Sequence, residues 1–498
     1  MYGGVRGRIN LALVLGAGLL MGTAPARAAD LGGDCCADLD ERIAELESTA
    51  ARKGNRKVSL SVSGYINEAL LYWNDGHESN VYQGTNDAAR SRFRFLGDAK
   101  INKEWSAGYL LEIGVRSNRL NRTDQFHDDG FSNVPVNPGV NTPTAEQSAS
   151  GLDIRQSTWW IQSTKLGRVW VGQTDQATER ITEINLSSTN LFLKHYGRWN
   201  GSFRMYAPNG TLTTNTWGQI LPQSGFTGEG VPGEGDRWNL VKYDSPEFGG
   251  FVASAAWGED DFWDVALRYA GEHGGFKFAG GIGYSAWTGQ GSLNDRGCSI
   301  VKAGALSTQF TDGKSECETL GLSASIQHVE TGLYFTGAYG IKWDDNREAA
   351  FKAITPSVGS IDDSDSFYSL MVGVEQKFGS LGKLGKTTVY GEYEHYDTGA
   401  IIGGNGATAT GRPRNLANLF AGTGLPAGNY FGAGADIDVW GFGVNQNIEA
   451  AALDVYIGWR RAEAEIYGSS TGVKGGPNAR TIDIEAIDTV MGGSRIQF

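Results

Sequence analysis

The stretch "ARSRFRFLGDAK", residues 89–100, sets Arg90, Arg92 and Arg94 at every second position, with Ser91, Phe93 and Phe95 between and after them. On a β-strand successive side chains point to opposite faces, so three guanidinium groups line one side and two rings the other. Like charges about 7 Å apart, two strand rises, repel one another unless water or carboxylates answer them. Such a row can attract anions or set up a field, but it makes and breaks no bonds. Residues that could are thinly spread. His77-Glu78 lacks the second histidine of a zinc helix, and the six His are scattered with no GxSxG nearby. "GNGATA" (404–409) fits a GxGxxA pattern, but in a Gly/Thr/Ala loop with no strand before it and no helix after it. The expectation is no enzyme, no metal and no cofactor. Cys298 and Cys317 fall in or beside one loop segment, where a disulfide is expected, whereas adjacent Cys35 and Cys36 cannot easily bridge each other and either pair between subunits or stay reduced.

Whether the arginines or the rings meet water depends on the elements around them. Arg6 and Arg8 precede an apolar run, Ile9 to Gly22, and Ala26 and Ala28 form an A-x-A site. This is a secretory signal peptide over residues 1–28, too short in its apolar part for the roughly 20 residues of a spanning helix. Its removal takes away Arg6, Arg8 and Arg27 and shifts the formal charge from −13 to −16, so nucleic acid is excluded as a partner. Four Cys are too few for a disulfide scaffold but suit an oxidising compartment. Gly makes up 72 of 498 residues, about twice the usual ~7%, with 14 Trp, 19 Tyr and only 12 Pro. With a mean hydropathy of −0.31, that composition fits a barrel with a wet inside and an apolar outside.

Residues 29–56 carry Leu39, Ile43, Leu46 and Ala50 on one seam, a short amphipathic helix of under two heptads. It is too short to hold a free coiled coil together and packs only if something else gathers its copies. From residue 57 the period changes to two. Val62, Ile66, Leu70 and Tyr72 alternate with polar residues; Tyr109, Leu111, Ile113 and Val115 alternate with Gly108, Glu112, Gly114 and Arg116; Leu333, Phe335, Tyr339 and Ile341 alternate with Thr336 and Lys342. About sixteen such runs start near residues 58, 88, 104, 152, 168, 237, 250, 262, 275, 319, 332, 366, 386, 436, 452 and 483. Short turns (102–104, 164–167, 271–274) alternate with long Gly-, Asn- and Thr-rich segments (119–150, 288–318, 345–365, 399–434). Uneven connections of this kind favour one membrane barrel over a set of soluble sandwiches.

"GRVWVGQTD" (167–175), a long loop and "RWNLVKYDSPEFGGFVASAAWG" (237–258) resemble general diffusion porins, in which the loop after the first segment folds back into the pore. "CCADLDERIAELE" and "RKGNRKVSLSVSGYINEALLYW" are more specifically similar to porins of Rhizobiales-type alphaproteobacteria, and the ending "TVMGGSRIQF" suits both. The resemblance implies a sixteen-stranded antiparallel transmembrane β-barrel over residues 57–498, with a constriction loop over 174–236. It also implies a homotrimer in the Gram-negative outer membrane, among lipid and lipopolysaccharide, passing small hydrophilic solutes. A solute-selective channel and a non-transport structural barrel are the alternatives. By the same resemblance Val490, Ile496 and Phe498 form the signal read by the barrel assembly machinery. The Leu39, Ile43 and Leu46 seam is expected to form a three-stranded periplasmic bundle beneath the trimer, held together by the barrel contacts.

A charged side chain facing lipid costs roughly 2–4 kcal/mol at midplane. Arg90, Arg92 and Arg94 are therefore expected to face the lumen, with Glu112 and Arg116 on the next strand lining it too. Asp175, Glu179 and Glu183 of the loop are expected to oppose the arginines across the narrowest section, and most aromatic residues are expected to face outward.

Overall fold

The alternating residues pair into a closed sheet. A computed structural model describes residues 58–498 except 129–150, 188, 190–201, 223–230, 259–260, 291–297, 299, 302–313, 353–358, 402–413 and 425–429. The expected signal peptide, the Leu39/Ile43/Leu46 seam, Cys35, Cys36 and "GNGATA" lie outside the described residues. In chain order the strands are β1 Ser61–Asn74, β2 Ser79–Thr85, β3 Arg92–Lys100, β4 Trp105–Arg116, β5 Gly151–Ser163, β6 Gly167–Asp175, β7 Arg204–Tyr206 and β8 Leu212–Thr216. There follow β9 Arg237–Asp244, β10 Phe251–Gly258, β11 Trp263–His273, β12 Phe276–Gln290, β13 Ile300–Val301 and β14 Lys314–His328. The last six are β15 Leu333–Asp344, β16 Ser364–Gln376, β17 Thr387–Thr398, β18 Phe431–Ile448, β19 Leu453–Ser469 and β20 Arg480–Gln497.

Sixteen of these form the barrel, each antiparallel to its neighbours, and β20 returns to pair with β1 from Tyr65↔Gln497 to Asn74↔Asp488. Closure leaves no unpaired edge, which a sheet in lipid requires. The other four strands decorate it: β2 is a hairpin on β1, β7 and β8 pair with each other inside the long 176–236 connection, and β13 pairs with the start of β14. Each expected start falls within five residues of a barrel strand. Turns at 101–104, 164–166 and 274–275 share one rim, while 117–150, 176–236, 291–313, 345–363 and 399–430 leave from the other. Short turns mark the periplasmic rim of such barrels.

The faces sort as lipid demands. Val62, Ile66, Leu70, Phe335, Val372, Trp440 and Phe442 are exposed on the outside, an arrangement that water would penalise and a bilayer rewards. Phe93 and Phe95 meet edge to face at 5.7 Å on that side. Ile496 and Phe498 are exposed, and the Phe498 backbone pairs with Gly64 in both directions (2.9 and 3.0 Å). Most aromatic residues of the barrel strands take the outward register, as the alternation predicts, but a minority point inward. Trp73, Trp160, Trp170, Tyr334, Tyr390 and Tyr456 take the inward register. Several anchor loops: the Trp73 ring lies 5.1 Å from Phe203 in the 176–236 loop, and the Tyr456 hydroxyl donates to Asn67 Oδ1 and accepts from Asn86 Nδ2, both at 2.7 Å.

Candidate functional site

Arg94 sits directly opposite Glu112 across the β3–β4 ladder, both on the inward face. That carboxylate gathers three arginines. Arg94 Nε donates to Oε2, Arg92 Nη1 lies 3.1 Å from Oε1, and Arg155 Nε lies 2.7 Å from Oε1. Glu112 is almost fully buried and Arg92 and Arg155 nearly so, whereas the Arg94 side chain keeps 25% of its surface open. Arg92 also lies over the Tyr65 ring at 5.0 Å. One carboxylate shared by three guanidinium groups leaves a patch of net positive charge, and Arg94 presents it to the lumen.

Arg155 reaches this site through a β-bulge. Glu112 pairs with Gln156 and Ile113 with Ile154, so Arg155 is left over between them and turns in. The sequence carries a trace of this. Leu152 and Ile154 face outward on even positions, while Trp159 faces outward on an odd one, and the change of parity marks the bulge.

Arg90 does not belong to the row. Asn86 caps a 3₁₀ turn, Asp87–Ala89, its side chain accepting from the Ala88 amide, and the strand starts only at Arg92. Arg90 is buried, with Nε 2.9 Å from Asp87 and Nη1 3.1 Å from Asp153, and Arg119 shares Asp87 at 3.0 Å. Arg116 closes β4, paired with Gly151.

The contacts described for the loop acids lead to other cations, at the loop root and within the loop itself. Glu179 pairs with Arg237 Nη1 (2.8 Å), and Nη2 of the same guanidinium holds Asp236 (2.9 Å). Asp175, Glu179 and Glu183 lie within electrostatic reach of the loop's own Arg180. Burial works against the Arg180 charge, and these three carboxylates outweigh it, so its guanidinium titrates above its ordinary range. Burial also pushes the Glu179 carboxyl up, Arg237 pulls it back, and Asp175 and Asp236 add to the rise. The loop root still adjoins the arginine patch, since Arg180 is within electrostatic reach of Arg92, and Arg237 of Glu112 and Arg155.

What holds the loop inside is a trench that the sequence alone does not reveal. A Cβ on Gly281 would meet Ile181 and Ile184 within 2.8 Å, on Gly321 the Gly233 carbonyl at 2.4 Å, and on Gly340 the Pro232 carbonyl at 1.8 Å. These inward glycines of β12, β14 and β15 let both arms of the loop lie against the wall. Polar clasps fix it there: Thr178 N and Oγ1 donate to Asp264 (2.7 and 2.8 Å), Ser323 Oγ donates to the Ile181 carbonyl (2.6 Å), and Glu234 accepts from the amides of Arg180 and Thr182. A disulfide joins Cys298 to Cys317, and both pack in the cluster that buries Ala177, Ile181 and Trp287. Among the described residues no group of His, Cys, Asp and Glu could hold a metal ion.

No curated protein matches the chain. Solved structures similar in shape include an anion-selective porin from Comamonas acidovorans (14% identity, 89% of this chain and 100% of that one, TM-score 0.48). OmpT, an outer membrane protein of Vibrio cholerae, is similar at 12% identity over 90% and 100% of the two chains (TM-score 0.45). Salmonella typhi OmpF in complex with daunomycin is similar at 11% over 89% and 98% (TM-score 0.43). A family model described as Gram-negative porin matches residues 16–484, nearly all of the closed barrel and its inward loop. The chain therefore belongs to the Gram-negative porin family and forms a channel through the outer membrane.

Proposed function

We propose that this channel is a general diffusion pore for small hydrophilic solutes and ions, narrowed where the root of the 176–236 loop adjoins the arginine patch. The observation that carries it is Arg94, the member of the patch that stays open to the lumen while Arg92, Arg155 and Glu112 behind it are sealed. A fixed positive group beside the mixed charges of Glu179, Arg180 and Arg237 orders water and orients dipolar solutes, which favours polar permeants over apolar ones. The working unit is a homotrimer in lipid and lipopolysaccharide, with residues 1–28 removed on export, Leu39, Ile43 and Leu46 bundled beneath it, and Val490, Ile496 and Phe498 presented to the assembly machinery. The alphaproteobacterial subgroup is the finer family reading. A solute-selective channel is the second reading, favoured by the inward Trp160 and Trp170.

Purified protein in planar bilayers tests the first reading. Stepwise conductance proportional to salt concentration is expected, with neutral sugars entering liposomes at rates that fall smoothly with size. Sugar flux that saturates would favour the selective channel, and no conductance at all would overturn both.

A further inference from the structure

Most inward arginines described above are matched by carboxylates; Arg168 is not. It stands on the inward face of β6, two residues past the periplasmic turn 164–166, with its guanidinium 4.5 Å from the Trp160 ring and 4.9 Å from the Trp170 ring. Nε and Nη2 both donate to Gln162 Oε1, and among the described residues Nη1 donates to nothing and no carboxylate pairs with it. The nearby acid is already engaged. Asp244 accepts from Trp170 Nε1 (2.7 Å) and Ser254 Oγ (2.6 Å) and faces Lys242 at 4.0 Å, with Lys242 and Asp244 both buried. The wall also makes room for the clamp, because Trp160 lies flat over Gly108, where a Cβ would meet its ring at 2.3 Å.

Two indole faces hold a guanidinium by cation–π attraction and fix its plane without consuming its donors. Asp244 stands opposite Arg168 across the β6–β9 ladder without bonding its guanidinium. A pre-positioned N–H that no carboxylate bonds, on a wall that excludes part of the water, is suited to donate to one oxygen of an oxyanion. We propose that Trp160, Arg168 and Trp170 form a second selectivity station, on the periplasmic side of the constriction, that binds the carboxylate of small organic acids as they pass. Arg168 lies six residues along β6 from Thr174, roughly 20 Å by strand rise, so the station is separate from the Arg94 patch. It rests on the channel reading and adds the solute class to it.

Reversal potentials in potassium acetate and potassium chloride gradients test the station. Arg168→Gln is expected to lower acetate permeability relative to potassium about threefold, and chloride less, since chloride needs only the charge. Arg168→Lys keeps the charge but not the clamped fork, and is expected to restore chloride and not acetate. Wild-type ratios in Arg168→Gln would overturn the proposal. So would equal losses of both anions that Lys fully restores, because Arg168 would then be only a diffuse charge. If Arg168→Gln does not assemble, Trp160→Phe weakens the clamp; a smaller fall in the acetate ratio supports the station, and no fall overturns it. A wild-type chain that conducts no ions would sink the channel reading itself, whereas a conducting chain with unchanged acetate ratios sinks only this inference.

Discussion

Two charged clusters face inward from different arcs of the barrel wall, and their stoichiometries are opposite. On β3–β5 three arginines share Glu112; on β17 and β19 one arginine, Arg460, serves two carboxylates, with Nη2 2.7 Å from Glu392 and 3.0 Å from Glu394, and the Tyr396 hydroxyl also donating to Glu394. The second cluster is sealed: side-chain exposures are 3% for Arg460, 2% for Glu392 and 0% for Glu394, against 25% for Arg94. Buried charge is costly unless each partner answers the other, so the β17–β19 cluster acts within the wall, where it ties β17 to β19 across the intervening β18. An open member in a cationic cluster acts instead on what passes. The lesson is that composition alone does not separate a structural cluster from a functional one; the residue left facing water does.

Breaking the sealed cluster should have the largest effect. Arg460→Ala leaves two carboxylates buried without their cation and is expected to destabilise the barrel by about 3–5 kcal/mol. Heat-modifiable mobility on gels checks this, and an unshifted transition would show that water reaches these carboxylates. Removing the open member should do the reverse. Arg94→Ala is expected to change stability by no more than about 1 kcal/mol, while raising single-channel conductance and shifting the reversal potential toward cations, since a fixed positive charge is lost. If stability falls and the current is unchanged, Arg94 belongs with Arg460 and the contrast collapses.

The smallest effect sharpens the boundary between wall and loop. Burial raises the Glu179 carboxyl above its ordinary 4.5, so on acidification it takes up a proton earlier than an exposed carboxylate would. Its negative charge is then lost and the channel should become modestly less cation-selective, with the change starting above the ordinary carboxylate range. Glu179→Gln should abolish that early step. The linked stability has the matching sign: a group whose pKa is higher folded than unfolded binds its proton more tightly in the fold, so its contribution is full below about pH 4.5 and is lost as pH rises through the raised value.

The barrel was legible because lipid outside and water inside impose a two-residue period, and the sixteen barrel strands obey it closely enough to place their starts within five residues. Arg92, Arg94 and Glu112 were legible as lumen residues for the same reason. Their mutual pairing was not, because register depends on the 101–104 turn rather than on either strand. Arg90 was misread because a capped turn, set by Asn86, interrupts what alternation alone extends. Arg155 left a trace in the parity switch of β5. The glycine trench left none, since Gly281 and Gly340 acquire meaning only from a loop more than forty residues away in the chain that packs on them.

The reciprocal hydrogen bonds between Gly64 and Phe498 join almost the first described strand residue to the very last residue of the chain. The ring is thus completed by pairing the last strand, β20, with the first, β1. A chain without β20 would carry β1 as an open edge with nothing to zip against, and such an edge invites pairing with other chains.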